Sequence, residues 1–209
     1  MEVSMMQVAH SNGNAIGSLK QEVKLDLESC LSTLTLEEMV AITNDIPVRT
    51  YPKGAFLLRE GQIANNCYYI FKGCVREFYL KNGEEKTSEF FSEGDSLSCD
   101  HSKLDRVPAK QYWQCLEDTT VSVFSYEKER AVYRRFPRLE SLCRLEMEKK
   151  YGQLRDTMNF YLFASPEERY LDILSNRPDL LQRVPQYQLA SFIGIKPESL
   201  SRIRRRLRA

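Results

Sequence analysis

Val184-Pro-Gln-Tyr-Gln-Leu-Ala-Ser-Phe-Ile-Gly-Ile-Lys-Pro-Glu-Ser-Leu-Ser-Arg-Ile-Arg-Arg-Arg-Leu-Arg208 is two short helical segments joined through a glycine, the second closing in a run of arginines. Ala190 is small where two helices must approach closely, and Gly194, four residues on, stands where the turn needs a backbone free of Cβ strain. Leu189, Ile193, Ile195, Leu200 and Ile203 supply an apolar seam. In the second segment Leu200, Ile203 and Leu207 recur at three and four residues and share one helical face. Glu198, Arg202, Arg205 and Arg206 fall on the opposite face. Pro197 suits a first helical turn, where its missing N–H costs nothing, and Glu198 suits the positive end of the helix dipole. The spacing predicts a helix-turn-helix whose second helix can lie in a DNA major groove. The other reading is a solvated amphipathic tail helix.

Charge is concentrated in this stretch. Six cations (Lys196, Arg202, Arg204, Arg205, Arg206, Arg208) against Glu198 give the last fourteen residues +5, so the chain's formal +1 leaves −4 for the other 195. The candidate DNA contacts are Gln186, Lys196, Glu198, Ser199, Arg202, Arg204, Arg205 and Arg206. Glu198, Ser199 and Arg202 are placed to reach base edges, and the arginines of the C-terminal end to meet phosphate.

The whole chain, 209 residues at 42% hydrophobic and 28% charged, can bury a core of ordinary size with a small second domain. No apolar run approaches the ~20 residues of a membrane-spanning helix, and Met1 to Leu19 lacks the apolar centre of a signal peptide. The expectation is a cytoplasmic protein without a membrane partner. Its six cysteines, at 30, 67, 74, 99, 115 and 143, form no C-x-x-C pair and read as reduced structural thiols. The two histidines are His10 and His101. They are too few for a metal enzyme on a small barrel, so no catalytic residue, metal or cofactor is expected.

Between leader and tail the pattern changes twice. Residues 1–33, rich in Ser, Asn and Gly, read as a partly disordered leader. Leu34 to Asp45 reads as a short helix with Thr35 and Glu38 as a capping box and Met39, Val40 and Ile42 as contacts. From Ile46 to Tyr126 short strands alternate with turn signals at Pro52-Lys-Gly54, Glu60-Gly61, Lys72-Gly73, Asn82-Gly83, Glu93-Gly-Asp95 and Glu117-Asp118. Tyr68 to Phe71, Val75 to Leu80 and Val121 to Phe124 carry the β-branched and aromatic content of strands, and the regular spacing predicts a β-barrel or jelly roll. A helix over Tyr126 to Phe136 stops at Pro137, and a longer one runs from Arg138 to about Phe163. Along it Met147, Tyr151, Leu154, Met158 and Tyr161 step by four, three, four and three, near a coiled-coil repeat. That stripe suits a dimer seam, which the need to read enough bases favours, or packing on the barrel. Ser165-Pro166-Glu167-Glu168 caps a further helix that carries Tyr170, Leu171, Ile173 and Leu174 inward.

The fold class is therefore α+β: sensor barrel 34–137, connecting helix 138–163 and helix-turn-helix domain 164–209. With Tyr68-Tyr-Ile-Phe-Lys-Gly-Cys-Val75 and Glu93-Gly-Asp95 in the barrel and the Gly194 to Leu207 reader behind it, this arrangement resembles the Crp/Fnr family of transcription regulators. The resemblance covers Leu34 to Arg208. It implies a homodimer on a two-fold operator, the barrel as sensor, and RNA polymerase as a further partner. The family's glutamate and distal arginine match Glu198 and Arg202, while its proximal arginine falls at Pro197.

The barrel departs from the nucleotide-binding members. They hold cyclic phosphate with an Arg-Ser pair and the ribose with a glutamate after Gly-Asp-x-x-Gly. Here Ser98 and Cys99 follow Gly94-Asp95, and Ala109 and Lys110 fall at the Arg-Ser pair, so cyclic AMP is not expected to bind. Ser96 to Gln111, with Asp100, His101, Lys103 and Arg106, is either a pocket for another polar effector, lined by Ser96, Ser98, Cys99, Lys110 and Gln111, or a loop without ligand. With almost nothing after Leu207, no β-wing is expected behind the second helix. The rival to a DNA reader is a ligand-binding or protein-interaction module of the same barrel fold, whose C-terminal helices bind a protein partner.

Overall fold

The computed structural model describes residues 35–38, 46–99, 102 and 105–207. The leader, Met39, Val40, Ile42, His10, Cys30, Asp100, His101, Lys103 and Arg208 lie outside them. The chain divides into two units, Leu34–Glu140 and one containing Ser141–Ala209.

The first unit is a jelly-roll-like barrel of eight strands: β1 (Val48–Tyr51), β2 (Phe56–Leu58), β3 (Asn66–Lys72), β4 (Val75–Lys81), β5 (Glu84–Phe91), β6 (Ser96–Leu97), β7 (Tyr112–Cys115) and β8 (Thr119–Ser125). They form two four-stranded sheets, in the orders β1-β8-β3-β6 and β2-β7-β4-β5, with antiparallel neighbours. Alternation along β3 puts Tyr68 and Ile70 inside and leaves Phe71 about half exposed. Between the sheets Tyr68, Ile70, Val75, Leu97, Trp113, Cys115 and Val121 form the centre of one core. The β3–β4 connection is tight because Gly73, at φ +116°, passes over the fully buried Thr119; a Cβ there would lie 2.5 Å from the threonine Oγ1.

One buried charge was not legible as such. Arg76 is 1% exposed on β4, where its Nε donates to Thr87 Oγ1 at 2.9 Å, its Nη1 pairs with Glu85 Oε2 at 2.6 Å and its guanidinium covers the Phe78 ring. A buried guanidinium persists only with such partners. No disulfide joins the described cysteines.

The capping box expected at Thr35 and Glu38 is present, with reciprocal bonds of 2.8 and 3.2 Å. After β8, Ser125 caps α1 (Tyr126–Arg135), and α2 (Pro137–Phe163) follows after Phe136. The proline thus opens the long helix rather than only ending the short one, its absent N–H falling where no bond is required. Met147, Tyr151, Leu154 and Met158 are each half or more exposed along α2.

The second unit continues from α2 into α3 (Pro166–Asn176), α4 (Leu180–Arg183), α5 (Gln186–Ile193) and α6 (Pro197–Arg206). Ser165 and Glu168 exchange the two bonds of a capping box with Pro166 in the first turn. Tyr170 and Ile173 are buried, as expected. Leu171 and Leu174 are not: they are 38% and 43% exposed.

Candidate nucleic-acid interface

Helices α5 and α6 pack against each other across a glycine turn. Ala190 has no exposed surface, which fits its role at the close approach. Gly194 closes α5 in the left-handed conformation at φ +85°, and its N–H bonds Ala190 O at 3.0 Å while Ile195 N bonds the same oxygen at 2.9 Å. Lys196 stands extended at the N-cap of α6, with Pro197 and Glu198 in the first turn and Arg204, Arg205 and Arg206 in the last. This places acid at the positive end and base at the negative end of the dipole.

The apolar seam lies where expected for Leu189, Ile193, Leu200 and Ile203, all buried, with Ile195 half-buried. Leu207 departs from it: it is the C-cap of α6 and 40% exposed. Gln186, Lys196, Glu198, Arg202, Arg205 and Arg206 are exposed, and Ser199 and Arg204 are half-buried. Two of these candidate arginines are engaged within this unit. Arg202 Nη2 donates to Ser199 Oγ at 3.0 Å, which holds two candidate base-contacting side chains together. Arg206 pairs with Glu167 of α3.

Arg169 is a residue that spacing alone did not single out. From α3 it donates Nη1 to Ile193 O at 2.9 Å and Nη2 to Tyr161 O at 2.6 Å, so one guanidinium serves carbonyls near the C-termini of α5 and α2. Those carbonyls lack helical partners of their own. The rings of Tyr161 and Phe192 meet beside it, 5.7 Å apart. Its only signal in the sequence was its place one turn after the Ser165 cap.

In the barrel, the five candidate effector residues differ in exposure. Ser96 and Ser98 are exposed, Cys99 is buried, Lys110 is exposed and Gln111 is half-buried. Gln111 Nε2 donates to Cys99 Sγ at 3.0 Å, and the hydroxyls of Ser98 and Tyr126 lie 3.5 Å apart. Ala109 is buried with both backbone groups used, N–H to Gln62 O and C=O from Gly61 N–H. A cavity of about 380 Å³ lies against β2, the β2–β3 loop and Trp113. No cluster of three or more metal-ligating side chains occurs among the described residues, and no helix among them is long and apolar enough to cross a membrane.

Residues 48–136 match the family model of the cyclic nucleotide-binding domain. The barrel is thus similar to that domain family over these residues. Solved structures extend the likeness over the helices behind that domain. The Thermus thermophilus catabolite activator protein shares 22% identity over 84% of each chain at a TM-score of 0.53. The c-di-GMP responsive global regulator CLP of Xanthomonas campestris shares 18% over 83% of this chain and 92% of its own, at 0.63. FixK2 of Bradyrhizobium japonicum shares 18% over 78% and 84%, at 0.59. The barrel and the helices that follow it therefore have the fold of these structures. A comparison with curated protein sequences finds no match.

Proposed function

We propose that this chain is a dimeric, sequence-specific DNA-binding transcription regulator whose barrel acts as a sensor and does not take cyclic AMP. The observation that carries the reading is α6 itself: Leu200 and Ile203 are buried behind it, while Glu198, Arg202, Arg205 and Arg206 stand exposed. A helix so backed can enter a major groove with its N-terminal side chains at base edges and its last-turn arginines near phosphate. The resemblance to the Crp/Fnr family supports the same role. In this reading residues 164–209 bind DNA and α2 pairs two copies through its exposed stripe. RNA polymerase is the partner in transcription, and the cytoplasm is the working compartment.

Two features of the barrel support the exclusion of cyclic AMP. Ala109 puts a buried methyl group where the nucleotide-binding members hold phosphate with arginine, and the neighbouring Lys110 is exposed. A buried phosphate requires a fixed cation. Selection of duplexes from a random pool tests the reading: the expected product is a two-fold site with half-sites about one helical turn apart, bound with a steep loss of affinity as salt rises. Failure to enrich any sequence, or binding insensitive to salt, overturns it.

A further inference from the structure

The barrel cavity faces none of the polar side chains expected to hold an effector, and its lining describes a different ligand. Leu57, Leu58 and Ala64 form apolar walls. Tyr68 and Trp113 form a corner, their rings edge to face at 90° with centroids 6.2 Å apart. The donors of both rings are engaged: Tyr68 Oη donates to Leu57 O at 3.2 Å, and Trp113 Nε1 donates to Glu77 Oε2 at 2.8 Å. What the two rings offer an occupant is therefore ring surface, with the Tyr68 oxygen as an acceptor. No ionisable group other than the Tyr68 phenol lines the cavity. An ionised ligand would leave water without gaining a counter-charge, which disfavours phosphate and carboxylate.

Polar side chains line the cavity at the β2–β3 loop and the start of β3, from Gln62, Asn65 and Asn66. Gln62 Oε1 accepts from Arg59 N at 2.9 Å, and Asn65 Oδ1 accepts from Arg106 Nη1 at 2.9 Å. With their oxygens engaged, these carboxamides can offer N–H donors to an occupant. At about 380 Å³ the space lies within the range of small-molecule sites.

We propose that this cavity binds a neutral, aromatic small molecule carrying a carbonyl-type acceptor, and that this molecule is the effector class of the sensor. The second clause rests on the regulator reading above; the binding itself does not.

The chain's single tryptophan, Trp113, is in the cavity wall and reports occupancy directly. The probe is Prodan, a neutral naphthalene ketone, with the anionic anilinonaphthalene sulfonate and cyclic AMP as comparisons, all titrated into the full chain. Saturable energy transfer from Trp113 to Prodan at one site per chain is expected, with both anions at least about tenfold weaker. Ala64→Phe, which fills the cavity from a buried wall position, should abolish the transfer. Asn65→Leu removes an exposed rim donor together with the oxygen that accepts from Arg106, and should weaken Prodan about five- to tenfold while the chain stays folded. It decides the matter if Ala64→Phe fails to fold. Absence of transfer in the unmodified protein, undiminished binding by Asn65→Leu, or anions binding as well as Prodan overturns the cavity assignment. Operator binding with and without Prodan on the same preparation separates the two claims. Loss of the cavity result with operator binding intact leaves the regulator, and Prodan uptake without any operator binding leaves only the cavity.

Discussion

Arg169 of α3 holds the carbonyl oxygen of Ile193, the last residue of α5, at 2.9 Å, and with its other terminal nitrogen it holds Tyr161 O of α2. The residue after Ile193 is Gly194, whose missing Cβ would come within 3.3 Å of the same Arg169 nitrogen. One side chain thereby fixes the end of the long helix, the start of the C-terminal bundle and the turn that aims α6. Arg169→Ala should cost about 2 kcal/mol by chemical denaturation, since it removes two charge-assisted bonds and leaves helix-end carbonyls without partners. Arg169→Lys should recover less than half, because an ammonium lacks the fork that spans both carbonyls. Equal stability of Arg169→Ala and the unmodified chain would show that water replaces the clamp.

Gly194 should tolerate no side chain. Alanine at φ +85° incurs the left-handed penalty of about 1–2 kcal/mol and also presses on Arg169. The loss expected in Gly194→Ala is therefore at least that of the backbone term, and it should shrink when combined with Arg169→Ala. A double-mutant cycle measures it, and strict additivity of the two losses would refute the contact.

Glu168 carries a pH dependence. Its carboxylate accepts the backbone N–H of Ser165 as the back half of the capping box, and this backbone bond, with that residue's hydroxyl interaction, holds its pKa below the ordinary 4.5. A group whose folded pKa is depressed adds stability that is present above its unfolded pKa and is lost as pH falls through the folded value. Stability should accordingly decline below about pH 4.5, and Glu168→Gln should remove that portion of the decline. Carboxyl NMR of the full chain gives the midpoint, and one at or above 4.5 contradicts the bond.

Arg202 and Arg206 should separate on DNA. Arg202→Ala is expected to cost on the order of 1–3 kcal/mol on the selected operator and to relax preference at one base pair per half-site. Arg206 first has to leave Glu167, so Arg206→Ala should weaken all duplexes by a similar modest factor and flatten the salt dependence. Binding of both variants to operator and scrambled duplexes tests this. Equal losses on the two DNAs for Arg202→Ala would move the base contacts to Glu198 and Ser199.

The exposed stripe of α2 should hold two copies together. Replacing Leu154 and Met158 by glutamate would bury unpaired charge at the seam, so light scattering should change from dimer to monomer while the far-UV spectrum is kept. A monomer in the unmodified chain at micromolar concentration ends the dimer proposal.

What was legible in the sequence was local. The α5–Gly194–α6 unit, the Ser165 and Thr35 capping boxes and the β3, β4 and β8 strands each rest on residues within a few positions of one another, where periodicity, φ preference and cap chemistry act directly. The outward direction of Glu198, Arg202, Arg205 and Arg206 followed from the same periodicity, once Leu200 and Ile203 marked the back. The tertiary structure decided what depends on residues far apart in the chain. It turned Leu171 and Leu174 outward, made Arg76 a buried partner of Glu85 and Thr87, and set Arg169 between two helix ends. It also opened a cavity beside Trp113. A cavity is the space that strands from distant parts of the chain fail to fill, and no short window of sequence contains it.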